Sequence, residues 1–337
     1  MKKLLSLTFA LLFACLTAGC GAQTNKYSES FDAMDTFMQV DVYGDEQAMK
    51  DIKAEITRLD GMLSTTGENS DVSKINKTGS ATADEAVLDL AEKSLDLCRD
   101  TGGALDITVY PVVEEWGFIS KDYKIPDEKT LSDLLQLVDH NKVAVKDGRI
   151  TLPKGAKLDF GAVAKGYAAD RAKAILDSSQ SDSALLNLGG TVLAYGEKEG
   201  GKKWKIGIAD PKNSAGYMGY ITCKDKIIAT SGSYERCFTG DDGKIYSHII
   251  DPKTGVPVDN GIESVTIISD SGALSDALST ALFVMGREEA ERYHKKAHGG
   301  FNYIILTSDK KAYVSGGISE SFTVADGYEY EVISNKL

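Results

Sequence analysis

The sequence predicts an α+β fold built on mixed, largely antiparallel sheets with packed helices. Strand-like and helix-like segments are mixed without a regular βαβ rhythm, and several strand candidates follow one another through short hairpin turns. No G-x-G-x-x-G opens a helix and no phosphate-binding P-loop motif is present, so neither a Rossmann nor a P-loop nucleotide site is expected. The 337 residues, 42% of them hydrophobic, suffice for one large domain or two intimate ones. No segment reads as a low-complexity linker and no internal repeat recurs at a fixed period.

The first twenty residues stand apart. Lys2 and Lys3 precede an apolar run, Leu4 to Leu16, which ends in Thr17-Ala-Gly-Cys20. This is an export signal, too short to span a bilayer. Its end resembles a lipobox, with Thr17 departing from the usual aliphatic residue. Residues 1–19 are therefore expected to be removed and Cys20 to be lipidated. Residues 20–28 should form a short tether and residues 29–337 the folded unit. Without the signal, 36 basic residues face 50 acidic ones, a charge of −14 that disfavours nucleic acid as a partner. Cys98, Cys223 and Cys237 cannot all pair with one another, and no Cys/His spacing suits zinc. Cys98 reads as a buried thiol, and a Cys223–Cys237 disulfide stays open.

Phe37 to Tyr43 alternates like a strand. Glu46 to Met62 carries Met49, Ile52, Ile56 and Leu59 at helical spacing. Ser64 to Gly79 reads as a polar loop, and Asp84 to Arg99 as a helix closed by Thr101-Gly-Gly103. Gly103-Ala-Leu-Asp-Ile-Thr-Val-Tyr-Pro111 reads as a strand that can lie flat against a planar ring. Leu131 to Val138 looks helical, Val143 to Leu152 forms a hairpin around Asp147-Gly148, and Ala162 to Leu176 is helical. Leu185 to Ile250 is strand-rich, Leu274 to Met285 is an apolar helix, and Tyr303–Leu306 and Ala312–Val314 close the sheet.

Several constellations can carry chemistry. In Leu158-Asp-Phe-Gly-Ala-Val-Ala-Lys-Gly-Tyr-Ala-Ala-Asp170, a strand end passes through small residues into a helix start, which suits phosphate, with Lys165 in the first turn. The bland alternative is a glycine-rich junction with a solvated lysine. Asp276 and Thr280 are four apart and share a helix face, where carboxylate and hydroxyl can offer oxygen to Mg²⁺; as a cap and a self-bonded threonine they would do nothing of the kind. His248, in Tyr246-Ser-His-Ile-Ile-Asp-Pro-Lys-Thr-Gly255, is placed in a strand before a turn and suits general-base work, though a lone strand histidine is more often structural. His140, His294 and His298 read as surface residues. Leu186-Asn-Leu-Gly-Gly-Thr191 is a strand ending in a double glycine.

Together and in this order, these segments resemble the FAD:protein FMN transferases of the ApbE type. The resemblance runs from about Ser28 to Met285 and rests on Met34-Asp-Thr36, the Ser64–Asn76 loop, Gly103–Pro111, Leu158–Asp170, Asn187–Gly190, Ala229-Thr-Ser-Gly232, Ser247–Gly255 and Asp276–Thr280. It implies that Asp276, Thr280 and the Ala162 carbonyl hold Mg²⁺. It further implies that FAD contacts Met34, Thr66, Ala104, Leu105, Asp106, Asp159, Lys165 and Ile250, and that His248 is catalytic. Family members often carry tyrosine where this chain has Thr66. The implied reaction is attack by a threonine hydroxyl of an exported acceptor protein on the FMN-side phosphorus of FAD, with AMP leaving. Acceptors in the family carry a Ser/Thr-Gly-Ala-Thr-like stretch; Ser271-Gly-Ala-Leu274 lacks the final hydroxyl, which argues against self-modification. Two rival functions remain: an FAD pyrophosphatase releasing free FMN and AMP, and a non-catalytic flavin-binding lipoprotein. The implied location is the cell membrane, lipid-anchored and facing away from the cytoplasm.

Mass spectrometry of the membrane fraction should find lipid-modified Cys20 at the mature N-terminus. An unmodified terminus released into the medium would refute the anchor.

Overall fold

The computed structural model describes residues 24–335, so the signal segment and Cys20 lie outside the described residues. A nine-stranded sheet forms the centre, and its spatial order follows the chain: Lys26–Ala33, Thr36–Tyr43, Ser183–Leu188, Thr191–Gly196, Lys226–Gly232, Ile262–Ser269, Asn302–Thr307, Lys311–Ser315 and Glu331–Asn335. Every neighbouring pair is antiparallel except the last, which is parallel. The sheet is thus a meander into which larger pieces are inserted. Residues 44–182, carrying the Glu46–Leu63, Asp71–Thr78, Glu85–Asp100 and Ala164–Asp177 helices, enter between its second and third strands. Helices Gly272–Met285 and Arg287–Lys296 enter between the sixth and seventh.

Side-chain alternation sends one face of the sheet to each of two cores. Ile227, Val265, Ile267 and Ile305 pack with the helices, including Ile52, Ile56, Leu59 and Leu278. Ile228, Ile268, Ile304 and Leu306 pack instead with Trp204, Ile206, Met218 and Phe322 of a three-stranded sheet, Trp204–Asp210, Asn213–Cys223 and Phe322–Val324. Period-two patterning over strands buried on both faces produces this three-layer arrangement. No helix among the described residues is long and apolar enough to cross a membrane.

Several expectations need correction. The Lys26–Ala33 strand begins inside the expected tether, because it pairs along its whole length with Thr36–Tyr43. The Ser64–Gly79 loop contains the Asp71–Thr78 helix, capped by the Ser70 hydroxyl on the Ser73 N–H at 3.0 Å and ended by Gly79 at φ 76°. Gly103–Pro111 is a turn rather than a strand: Gly102 and Gly103 have φ of 62° and 77°, and Pro111 sits in the first turn of the Tyr110–Glu115 helix, where no N–H is needed. Leu158-Asp159 is also non-strand backbone, and His248 lies just past the Ile245–Ser247 strand. His140 and His294 are buried, not superficial; each ring finds an internal partner, Asp106 and the Phe301 carbonyl. Cys98, Cys223 and Cys237 are all free thiols, the first two buried and the third exposed.

The Ala164–Asp177 and Gly272–Met285 helices cross at Gly166 and Gly272. A methyl at Gly166 would overlap the Gly272 carbonyl and crowd Asp276 Cβ at 2.7 Å. Gly166→Ala should therefore cost about 1–3 kcal/mol by overpacking. Gly61→Ala, in a helix with open space around it, should gain about 0.5–1 kcal/mol. Denaturant midpoints of the two variants check this, and equal midpoints would show that the crossing is not tight.

Candidate active site

The site grows from that helix crossing. Asp276 reaches from its helix to the start of the other, and its Oδ2 accepts the Gly166 N–H at 2.9 Å. In an ordinary helix that N–H would bond the carbonyl four residues back, which is Ala162. Asp276 has taken it, and the Ala162 carbonyl accepts no hydrogen bond from any described residue. The other carboxylate oxygen is loosely engaged, 3.4 Å from Thr191 Oγ1 and 3.6 Å from Lys165 Nζ. One turn on, Thr280 Oγ1 lies 3.1 Å from Ser231 Oγ. An unpartnered carbonyl, a loosely engaged carboxylate oxygen and a hydroxyl are hard oxygen donors, and they fit Mg²⁺. Lys165 already stands as a cation against this carboxylate.

Charges crowd the surrounding space. Burial raises the Asp159 carboxyl, although the Gly161 N–H donates to it at 2.8 Å and the Arg236 and Lys165 charges oppose the rise. Glu235, although exposed, is likewise raised by loss of water around its carboxyl, again against Lys165 and Arg236, with Asp276 adding to the rise. The His248 N–H and its Nδ1 both lie on the Arg236 carbonyl, at 2.9 and 3.2 Å. Burial, together with the Arg236 charge, pushes the imidazole down to about 4. It is therefore neutral near neutral pH. The carbonyl requires the proton on Nδ1, which leaves the Nε2 lone pair free.

The structure thus joins Asp159, Lys165, His248, Ala162, Asp276 and Thr280 through contact or charge, and adds Ser231, Glu235 and Arg236. Met34 sits in a strained tip whose next residue, Asp35, acts by its charge on Asp159. It and Asp35 form a two-residue hairpin tip with φ of 51° and 58°, held by the Met34 N–H on Asp60 Oδ1 at 2.9 Å. The tip packs on Gly189, where any side chain would overlap Thr36. Ala104 and Leu105 are buried in the turn that leads to Ile107, whose carbonyl accepts the Asp159 N–H at 2.9 Å. Thr66 is exposed on the loop before the Asp71–Thr78 helix. Ile250 lies in a separate small core with Trp116 and Phe118, the latter edge-on to His248 at 6.5 Å.

Asp106 sits differently from the rest. Its Oδ1 accepts from Thr108 N–H and Oγ1 at 2.9 and 2.5 Å, and its Oδ2 from His140 N–H and Nδ1 at 3.3 and 2.7 Å. The carboxylate is wholly engaged inside the protein. Glu235 and Arg236 carry no spacing signal in the sequence; only their position in the folded chain marks them.

The ApbE family model matches residues 34–305. The chain belongs to the ApbE family. It is 30% identical over 340 residues to an FAD:protein FMN transferase of Treponema pallidum, with 93% of each chain covered. It is 31% identical over 274 residues to one of Escherichia coli K12, covering 77% of this chain and 78% of that one. Among solved structures, the ApbE protein of Thermotoga maritima superposes with a TM-score of 0.78 at 32% identity, over 85% of this chain and 95% of that one. The flavinyl transferase ApbE of Pseudomonas stutzeri superposes at 0.76 and 27% identity, over 85% and 92%. The α+β class is thereby that of the ApbE structures, and the chain is a member of a transferase family.

Mg²⁺ at one hundred times its Kd should stabilise the protein by about 2.7 kcal/mol in thermal unfolding. Asp276→Ala should abolish this shift, but it also uncaps Gly166. Thr280→Val leaves that cap intact and should weaken the shift. Equal shifts in all three proteins would remove these residues from the metal site.

Proposed function

We propose that the protein moves FMN from FAD to a threonine hydroxyl of exported acceptor proteins and releases AMP. The observation that carries this reading is the Ala162 carbonyl, left without a partner because Asp276 has captured the Gly166 N–H. Ala162, Asp276 and Thr280 would hold Mg²⁺, which when bound offsets the negative charge developing on the pyrophosphate. Lys165 and Arg236 supply further positive charge for the same anion. Met34, the Ala104–Asp106 turn, Asp159 and Ile250 would contact FAD, and Thr66 would lie at its edge.

The acceptor threonine oxygen attacks the FMN-side phosphorus. A new P–O bond forms as the bond to the bridging oxygen breaks, and AMP leaves with that oxygen. The hydroxyl proton passes to His248 Nε2. A neutral imidazole with its tautomer set by the Arg236 carbonyl is ready for this role. Attack by water instead would make the protein an FAD pyrophosphatase with the same ligands. Anchoring through Cys20, with the enzyme facing away from the cytoplasm, would place it where exported acceptors are met.

Incubation with FAD, Mg²⁺ and an acceptor domain should add the mass of FMN to the acceptor. Free FMN alone would mark a hydrolase, and intact FAD a carrier. His248→Ala should slow transfer by about 10²–10⁴-fold with little change in FAD affinity. A rate within about threefold of wild type would remove His248 as the base, since that is well short of the general-base range. Because its proton is held only below about pH 4, kcat/KM should stay flat down through pH 6 and fall as pH approaches 4. An acid limb near the ordinary histidine value would contradict the neutral base.

A further inference from the structure

The Cys237–Thr239 and Ile245–Ser247 strands form a ribbon that joins no other sheet among the described residues. Its register continues at both ends, with the Gly240 N–H on the Lys244 carbonyl at 2.8 Å and the His248 N–H on the Arg236 carbonyl at 2.9 Å. Antiparallel pairs alternate between bonded and non-bonded. Gly240/Lys244 and Arg236/His248 are bonded, and Phe238/Tyr246 falls in step with them. Cys237 and Thr239 therefore turn their N–H and C=O groups away from the partner strand. No described residue bonds these four groups, and both residues are exposed. On the other edge, Ser247 beside His248 is 3% exposed, while Ile245 is 69% exposed.

A two-stranded ribbon is marginal alone. This one is held by its aromatic side chains: Phe238 stacks on Tyr123 at 4.9 Å and on Tyr246 at 5.4 Å, and Tyr246 leans on Trp116 at 5.3 Å. A braced strand with an open edge is a template for pairing with another chain. The same ribbon carries the candidate base. The His248 ring leans onto the Arg236 carbonyl, one residue before Cys237.

We propose that the acceptor polypeptide docks by adding an extended segment to the outer edge of Cys237–Thr239, which brings its hydroxyl-bearing residue to His248. This rests on the transferase reading, which requires an acceptor chain to enter beside that histidine; the edge starts at Cys237, next to Arg236, whose carbonyl holds the His248 ring. The added strand would run about 4.8 Å from Cys237–Thr239. Main-chain bonds would supply affinity with little demand on acceptor sequence.

Cys237 offers a native probe, since Cys98 and Cys223 are buried. The full chain is treated with a bulky maleimide, with Cys237→Ala as the control for other thiols. The acceptor is an exported domain carrying a Ser/Thr-Gly-Ala-Thr-like stretch. Saturating acceptor should protect Cys237 from labelling. Labelled enzyme should show an acceptor KM raised roughly tenfold, or about 1.4 kcal/mol, with the FAD KM unchanged. Cys237→Ala should transfer normally and ignore the reagent. Thr239→Pro, which removes one outward N–H, should also raise the acceptor KM. An unchanged acceptor KM after complete labelling overturns the docking and leaves the transferase reading standing. If unlabelled enzyme cleaves FAD but never modifies the acceptor, the transferase reading fails and the docking fails with it.

Discussion

Two helices exchange carboxylates where they cross, and the site is built on that exchange. Asp276 receives the Gly166 N–H at the start of one helix. Asp170, from that helix, receives the Gly272 and Ala273 N–H groups at 2.6 and 2.9 Å at the start of the other. The first turns of helices carry N–H groups without internal partners and a partial positive charge, so each carboxylate answers both needs. The exchange requires the backbones to be nearly in contact, which Gly166 and Gly272 permit. Burial raises the Asp170 carboxyl against these bonds, so the crossing carries a desolvation cost as well as its caps. The chemical consequence falls on Ala162. A helix that began normally would consume its carbonyl; this one leaves it available as a ligand.

Around that point the protein has placed more negative than positive groups. Asp159, Glu235 and Asp276 face Lys165 and Arg236, and His248 adds no charge at neutral pH. The raised carboxyls show that the two cations do not fully offset burial. A divalent cation at Asp276 would shift this balance and make room for an anionic pyrophosphate. With such a cation bound, a chain of net charge −12 could present a site for a negatively charged nucleotide.

The α+β class was legible because short-range signatures carry it: the Asp147-Gly148 hairpin and the strand expected at Phe37–Tyr43 both reappear. The order of the sheet was not legible, since nothing local says that Ser183–Leu188 returns beside Thr36–Tyr43 after the inserted helices. The Asp71–Thr78 helix escaped because only Val72 and Ile75 are buried, too few to show a period. Gly103–Pro111 misled because β-branched residues there suggest a strand, while the paired glycines and Pro111 decide for a turn and a helix start. The shared helix face of Asp276 and Thr280 was legible from their four-residue spacing. The orphaning of Ala162 was not, because it depends on a bond to a residue over a hundred positions away.

Asp106 has a structural task that its motif does not announce. Four donors occupy its carboxylate, two of them from His140. A side chain so engaged has no lone pair to spare for a ligand, so the Ala104–Asp106 turn can meet FAD through its backbone and its small apolar surface. The carboxylate's task is then to hold the turn's shape from below. Thr108 Oγ1 extends the same brace, receiving the Asp139 N–H at 2.9 Å. The turn is thereby tied to the segment that begins His140–Lys142. Ile107 ties it in the other direction, through its carbonyl, to Asp159. A rigid turn joined to Asp159 holds the two segments at a fixed separation; on the proposed reading this would fix the flavin and pyrophosphate contacts relative to one another, as transfer between two positioned groups requires.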